Sequence, residues 1–145
     1  MYICVIPSQT NQTFNPAYCH RHLPVKQQML EGISFFSHKY PDMRYLSYFQ
    51  AYTNTYDSLE NLKQRYEDAL TVEGCVGIVI GTRPDCMPPE LLLYLQELAK
   101  RTFVLVEYGI ESVNDTTLKR INRGPIEIFT SQCFILHIHF SLKSQ

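Results

Sequence analysis

Three short polar stretches hold most of the chemical capacity of this chain of 145 residues, and each directly follows an apolar run. The first is Gln50-Ala51-Tyr52-Thr53-Asn54-Thr55-Tyr56, the second Gly81-Thr82-Arg83-Pro84-Asp85-Cys86, and the third Glu107-Tyr108-Gly109-Ile110-Glu111-Ser112. Together they offer carboxylates, one guanidinium, and hydroxyl and amide donors, the groups that hold a small polar ligand in a cleft. In α/β sheets and barrels, chemistry is usually done at the carboxyl ends of the strands. Each stretch also has a plainer reading. Glu107 and Glu111 can be solvated residues at a strand end, and Arg83-Pro84-Asp85 a local ion pair shaping a turn, because Pro and Asp favour turns. Cys86 is a potential nucleophile, but no neighbour in sequence clearly lowers its pKa, whereas Cys75, inside an apolar run, reads as a small core residue.

Two other groupings weigh less. Cys19-His20-Arg21-His22 could supply part of a zinc site, yet no second cluster has matching spacing, although His137 and His139 alternate on a possible strand. A solvated loop explains it more simply. Tyr45, Tyr48, Tyr52 and Tyr56 lie close together, and alternation with burial accounts for them better than base stacking does.

The elements that must position the three stretches follow from periodicity. Residues 25–39 read as a helix with Met29, Ile33 and Phe36 on one face, ended by Pro41. Residues 44–50 read as a strand. Asp57 can cap the next helix, with Glu60 as its capping-box partner and Leu59, Leu62, Tyr66 and Ala69 as the buried stripe. Residues 75–80 form a fully apolar strand, as in parallel sheets. Pro88 and Pro89 open a helix that runs through Leu91, Leu92, Leu95 and Leu98 to about residue 100. Residues 102–106 are the next strand, and Asn114 caps a helix that stops at Arg123-Gly124. A further strand is expected before residue 25. Strands alternating with helices imply βαβ units, a parallel sheet and right-handed crossovers, so the three polar stretches gather at one sheet edge. The count is too small to close an eight-stranded barrel, which typically takes about 250 residues. Residues 125–145 lack a helical period and form an irregular, β-prone tail.

Composition narrows the classes. An apolar content of 45% and a charged content of 19% are ordinary for a globular domain. A net charge of -1 gives no electrostatic case for nucleic acid or an anionic membrane. No apolar run approaches the roughly 20 residues of a membrane-spanning helix, and the N-terminus lacks the basic region of a signal peptide. Five cysteines without paired spacing argue against a disulfide framework, so a cytoplasmic setting is the expectation.

The three stretches, in order and at βα spacing, resemble the radical S-adenosylmethionine (SAM) enzymes, and within them the YhcC-like Fe–S oxidoreductase branch. The matching elements are Tyr48-Phe49-Gln50 leading into Tyr52-Thr53-Asn54-Thr55-Tyr56, Ile80-Gly81-Thr82-Arg83-Pro84-Asp85, and Glu107-Tyr108-Gly109-Ile110-Glu111-Ser112. They are preceded by Asn11-Gln12-Thr13-Phe14-Asn15-Pro16, so the resemblance covers about residues 9–124. It implies a partial parallel (βα) barrel, about the first four βα units of a (βα)6 half-barrel, over residues 1–124, with residues 125–145 as an atypical tail. It also implies SAM lying across the carboxyl ends of the strands. Thr53 and Asn54 take the place of the glycine-rich loop that holds the SAM amino group. Gly81, Thr82 and Arg83 sit where related enzymes contact the ribose or carboxylate, while Glu107, Glu111 and Ser112 line the same cavity. The activity implied is reductive cleavage of SAM to a 5′-deoxyadenosyl radical, with a 4Fe–4S cluster and an electron donor such as flavodoxin or ferredoxin.

The departures carry as much weight as the matches. The family's Cys-x-x-Cys precedes the Asn-Gln-Thr-Phe-Asn-Pro element, and those positions here hold Ile6 and Gln9, which cannot ligate iron as thiolates do. Glu111 replaces the usual glutamine, and Pro125 begins the tail where the family continues with a histidine. The expectation is therefore a truncated or frame-disrupted product, inactive in the redox step, with no catalytic or metal-ligating residue assigned. The alternative is a non-catalytic α/β module that keeps a SAM or nucleotide cleft.

Overall fold

A computed structural model describes residues 2–7, by backbone only, together with residues 23–38, 43–50 and 53–124. The described elements run β1 (Tyr2–Pro7), α1 (Val25–Ser37), β2 (Tyr45–Gln50), α2 (Leu59–Leu70), β3 (Cys75–Thr82), α3 (Pro89–Ala99), β4 (Phe103–Tyr108) and α4 (Asp115–Arg120). A single 3₁₀ turn, Pro84–Cys86, links β3 to α3. The four strands are all parallel and lie in the order β1-β2-β3-β4. The strand expected before residue 25 is β1, and β3 and β4 each extend to Thr82 and Tyr108, past their purely apolar stretches.

Sequential strand order has a consequence. Right-handed crossovers that always step in the same direction put every helix on one face of the sheet. The core agrees: Met29 of α1, Leu62 and Tyr66 of α2, and Leu91, Leu95 and Leu98 of α3 share one cluster with Phe49, Ile78, Ile80 and Val106. Phe49 and Tyr66 meet edge-to-face, with ring centroids 5.0 Å apart at 76°. The pleat divides the strands accordingly. Phe49, Ile78, Ile80, Val106 and Tyr108 face the helices. By register, Leu46, Tyr48, Gly77, Val79, Gly81, Leu105 and Glu107 face the other way. A bulge between Tyr45 and Leu46 lets Tyr45 and Cys75 both join the helix side.

Local signals explain the element ends, with two corrections. Pro88 and Pro89 start α3 as expected, because Pro at the first helical position lacks only an amide hydrogen that would be unpaired there anyway. The cap of α2 is Ser58, whose hydroxyl accepts the Asn61 amide at 3.3 Å, not Asp57. Asp57 stands one residue earlier, where it accepts from the Ser58 amide at 2.7 Å and the Asn61 side chain at 2.9 Å and pairs with Arg65. Asn114 does cap α4, accepting from the Thr116 and Thr117 amides. That helix stops earlier than Gly124, because Asn122 adopts a left-handed φ of 56°. The Asn122 amide then reaches the Lys119 carbonyl at 3.2 Å and the Arg123 amide the Leu118 carbonyl at 2.8 Å, a Schellman ending with asparagine in glycine's usual place. In α1 the stripe is rotated from the expected one: Val25, Gln28, Met29 and Gly32 are buried, and Gln28 is accommodated by donating to the Leu23 carbonyl at 2.7 Å.

Candidate functional site

The loops after β2, β3 and β4 leave the same sheet edge, and hydrogen bonds lace them together. Asn54 donates to the Gly81 carbonyl from both its amide, at 3.3 Å, and its side chain, at 2.9 Å. Its own carbonyl accepts the Tyr66 hydroxyl at 2.8 Å, so α2 fixes the β2 loop from below. Thr55 is buried and shares a hydrogen bond with the Thr82 hydroxyl while also bonding the Cys86 carbonyl. The Gly109 amide donates to the Thr82 carbonyl at 2.9 Å, which continues the β3–β4 ladder past the strand end. Thr53 hydrogen-bonds Cys86. Burial, the largest influence, pushes the Cys86 thiol above its ordinary range, so it rests as a thiol rather than a nucleophilic thiolate.

Arg83 and Asp85 form the local ion pair that turn chemistry suggested, with Arg83 Nε 2.9 Å from Asp85. The pair also reaches outward. Arg83 donates to the Asn122 carbonyl at 3.0 Å, and Asp85 accepts from the Gly124 amide. The hydrogen bond from Arg83 holds the Asp85 carboxyl below the usual carboxylate range. Arg123 adds a contact of 3.6 Å to Glu111 and one of 3.5 Å to the Gly109 carbonyl. The end of α4 is thereby clasped to the loops after β3 and β4.

The two glutamates of the third stretch are tied to different partners. Glu111, at a left-handed φ of 64°, curls toward Arg123 and is exposed. Ser112 closes the turn, its hydroxyl accepting the Asn114 amide at 3.1 Å. Glu107 instead lies on the sheet face away from the helices and accepts a short hydrogen bond from the Tyr48 hydroxyl of β2. Burial first, then the hydrogen bond and charge of Glu107, pushes the Tyr48 phenol well above the ordinary tyrosine range, so the phenol is the donor. The contact spans two strands, with β3 between. The Tyr48 side chain passes over Gly81, where a Cβ would lie in ordinary contact, 3.8 Å from the Tyr48 ring and 4.0 Å from its hydroxyl. Sequence reasoning treated Tyr48 only as a buried aromatic. The available signal was parity, because Tyr48, Gly81 and Glu107 all fall on the same face once the strand order is known.

Of the residues proposed from sequence, Thr53, Asn54, Thr82 and Arg83 are thus brought into one bonded loop cluster, with Thr82 buried toward the helices. Glu107 lies on the sheet face away from the described helices, and Glu111 and Ser112 shape the turn beside it. Cys19, His20, His22, His137, His139 and Gln9 lie outside the described residues. Among the described residues, no group of three His, Cys, Asp or Glu side chains could hold a metal ion. Cys75 and Cys86 lie at opposite ends of β3, at about 3.3 Å per strand residue too far apart to share a cluster. A 4Fe–4S cluster therefore does not fit the described donors. Among the described residues, no helix is long and apolar enough to cross a membrane.

No family model matches the chain. It is 45% identical to YtqA of Bacillus subtilis over 86 residues, which are 59% of this chain and 27% of that protein. It is 44% identical to YhcC of Escherichia coli over 82 residues, 56% of this chain and 26% of that protein. A protein of Methanocaldococcus jannaschii is 30% identical over 122 residues, 83% of this chain and 38% of that protein. The chain thus spans between about a quarter and two fifths of the length of these relatives. Among solved structures, archaeal Elp3 of Methanocaldococcus infernus superposes with a TM-score of 0.68 at 16% identity, covering 95% of this chain and 36% of that one. At that identity the likeness shows a shared fold.

Proposed function

We propose that this chain carries the SAM-binding portion of a radical SAM-related fold, a partial (βα) barrel whose carboxyl edge and the sheet face away from the described helices form the cleft. The fold likeness to Elp3 and the sequence identity to YtqA and YhcC support the fold and the branch. One observation carries the ligand reading: a carboxylate, Glu107, is held on the sheet face away from the described helices by a tyrosine two strands away, beside three polar loops bonded in series. A carboxylate fixed in that way suits a ligand with hydroxyl or ammonium donors, and SAM has both.

The groups are suited to SAM in kind. Thr53 and Asn54 frame the amino-acid end, Thr82 and Arg83 stiffen the β3 loop beside it, and Glu107, with Glu111 and Ser112 at its flank, faces the nucleoside side. SAM bound there would supply an electrophilic sulfonium and an adenosyl group. The chain's own residues bind and orient it: Asn54 pins the β2 loop to Gly81, and the Arg83–Asp85 clasp holds the end of α4 against the loop after β3. No step is assigned to an iron–sulfur cluster, because the described donors do not fit one and Ile6 and Gln9 stand at the paired-cysteine positions. The reading is thus a cleft that binds SAM without cleaving it. An electron donor such as flavodoxin or ferredoxin belongs only to the cleaving reading.

Calorimetric titration of the chain with SAM, anaerobically and without cluster, tests the proposal. Saturable binding with a 1:1 endpoint is expected, and no heat at millimolar SAM overturns it. Reconstitution with iron and sulfide is expected to yield no cubane charge-transfer band, and a stoichiometric cluster would refute the cluster-free reading.

A further inference from the structure

Tyr48 is tied to the cleft only by tertiary structure. It sits in β2, 59 residues from Glu107, and reaches it by crossing β3 at Gly81. Three features distinguish this contact from incidental packing. First, Tyr48 is half-buried on the face away from the described helices, while its neighbours Ser47 and Phe49 are covered on the helix side. Second, the ring lies over a glycine, where a Cβ would sit in ordinary contact at 3.8 Å and a bulkier, branched side chain would compete for its place. Third, the hydroxyl engages one carboxylate oxygen, Oε2, and among the described residues no hydrogen bond reaches Oε1 on the sheet face away from the described helices.

We infer that Tyr48 is a positioning residue of this cleft: laid across Gly81, it fixes the rotamer of Glu107 so that the free carboxylate oxygen meets the ligand. The inference rests on the SAM-binding reading above. Glu107 is the penultimate residue of β4, where its side chain has several rotamers and no ion pair among the described residues to select one. A charge-assisted hydrogen bond from a phenol that cannot ionise near neutral pH supplies that selection without neutralising the carboxylate. Tyr48 therefore acts through Glu107 and need not touch the ligand.

The test is a binding cycle on the full chain, with SAM as the probe. Tyr48→Phe keeps the ring and removes the donor, and it is expected to weaken SAM binding about tenfold. In a Glu107→Gln background, where the acceptor is neutral, the same change is expected to cost less than about threefold. A second readout follows the Tyr48 phenol by ultraviolet difference titration, wild type minus Tyr48→Phe. Glu107→Gln should move its ionisation to lower pH, because a hydrogen bond to a charge and the charge itself are both lost. Equal losses from Tyr48→Phe in both backgrounds, no loss at all, or an unmoved phenol titration would overturn the inference while leaving SAM binding intact. Absence of SAM binding by the wild type would instead remove the cleft reading, and this inference with it.

Discussion

On the helix-covered side of β3, Ile78 and Ile80 are fully buried in a core shared by three helices, whereas on the opposite side one buried valine, Val79, stands between two glycines, Gly77 and Gly81. The first face is made by filling volume. The second is made by leaving it out: Gly77 lets β4 approach, and Gly81 lets the Tyr48 ring pass over to Glu107. A strand buried on one face can thus carry a polar site on the other, provided the residues between the partners are small.

Mutations can break or sharpen this contrast. The largest effect is expected on the filled face. Leu95→Ala removes a wholly buried side chain and should lower unfolding stability by about 2–5 kcal/mol in denaturant titration. Leu105→Ala, on the opposite face, should cost clearly less, and an equal loss would erase the distinction. The two glycines come next. A Cβ at Gly77 would fall 2.3 Å from the Phe103 carbonyl oxygen, so Gly77→Ala should cost about 1–3 kcal/mol. At Gly81 the nearest atom is 3.4 Å away, so Gly81→Ala should be near neutral in a thermal melt, while the bulkier Gly81→Val should displace Tyr48. Equal destabilisation by the two alanines would argue against the different roles given to these glycines.

Smaller effects are expected at the clasp. Asn122→Ala, which lacks the short polar side chain that lets asparagine adopt a left-handed φ of 56°, should cost about 1 kcal/mol, whereas Asn122→Gly should be neutral. The Asp85 carboxyl is held below its ordinary value of 3.8, chiefly by Arg83. A depressed carboxyl stabilises the fold while ionised, so its contribution is complete above that ordinary value and is lost as pH falls through the lower folded value. Asp85→Asn should therefore remove about 0.5–1 kcal/mol near neutral pH, with the difference from wild type shrinking in acid. A difference that grows in acid would contradict the assigned sign.

Much of this was legible in the sequence because it depends on local signals. The strand–helix alternation, the Pro88-Pro89 start of α3 and the Asn114 cap each rest on residues within one turn of one another. Local signals failed where two neighbours compete for one role. Asp57 and Ser58 can both cap α2, and the choice fell to the hydroxyl that reaches the Asn61 amide. At the end of α4, Gly124 had the stronger propensity, but the Schellman bonds close two residues earlier at Asn122.

By itself, the sequence determined a parallel α/β sheet and the three polar stretches at its carboxyl edge, because apolar periodicity and turn chemistry act over a few residues. Only the tertiary structure decided which of those polar groups meet. Strand order and register align Gly81 with Glu107 in one row and Tyr48 with Val79 and Leu105 two residues before it, so the Tyr48 side chain reaches Glu107 diagonally across β3, and they set Arg83 against the end of α4. No pairwise spacing along the chain encodes such rows, since they arise from the stacking of whole strands driven by the core on the other face.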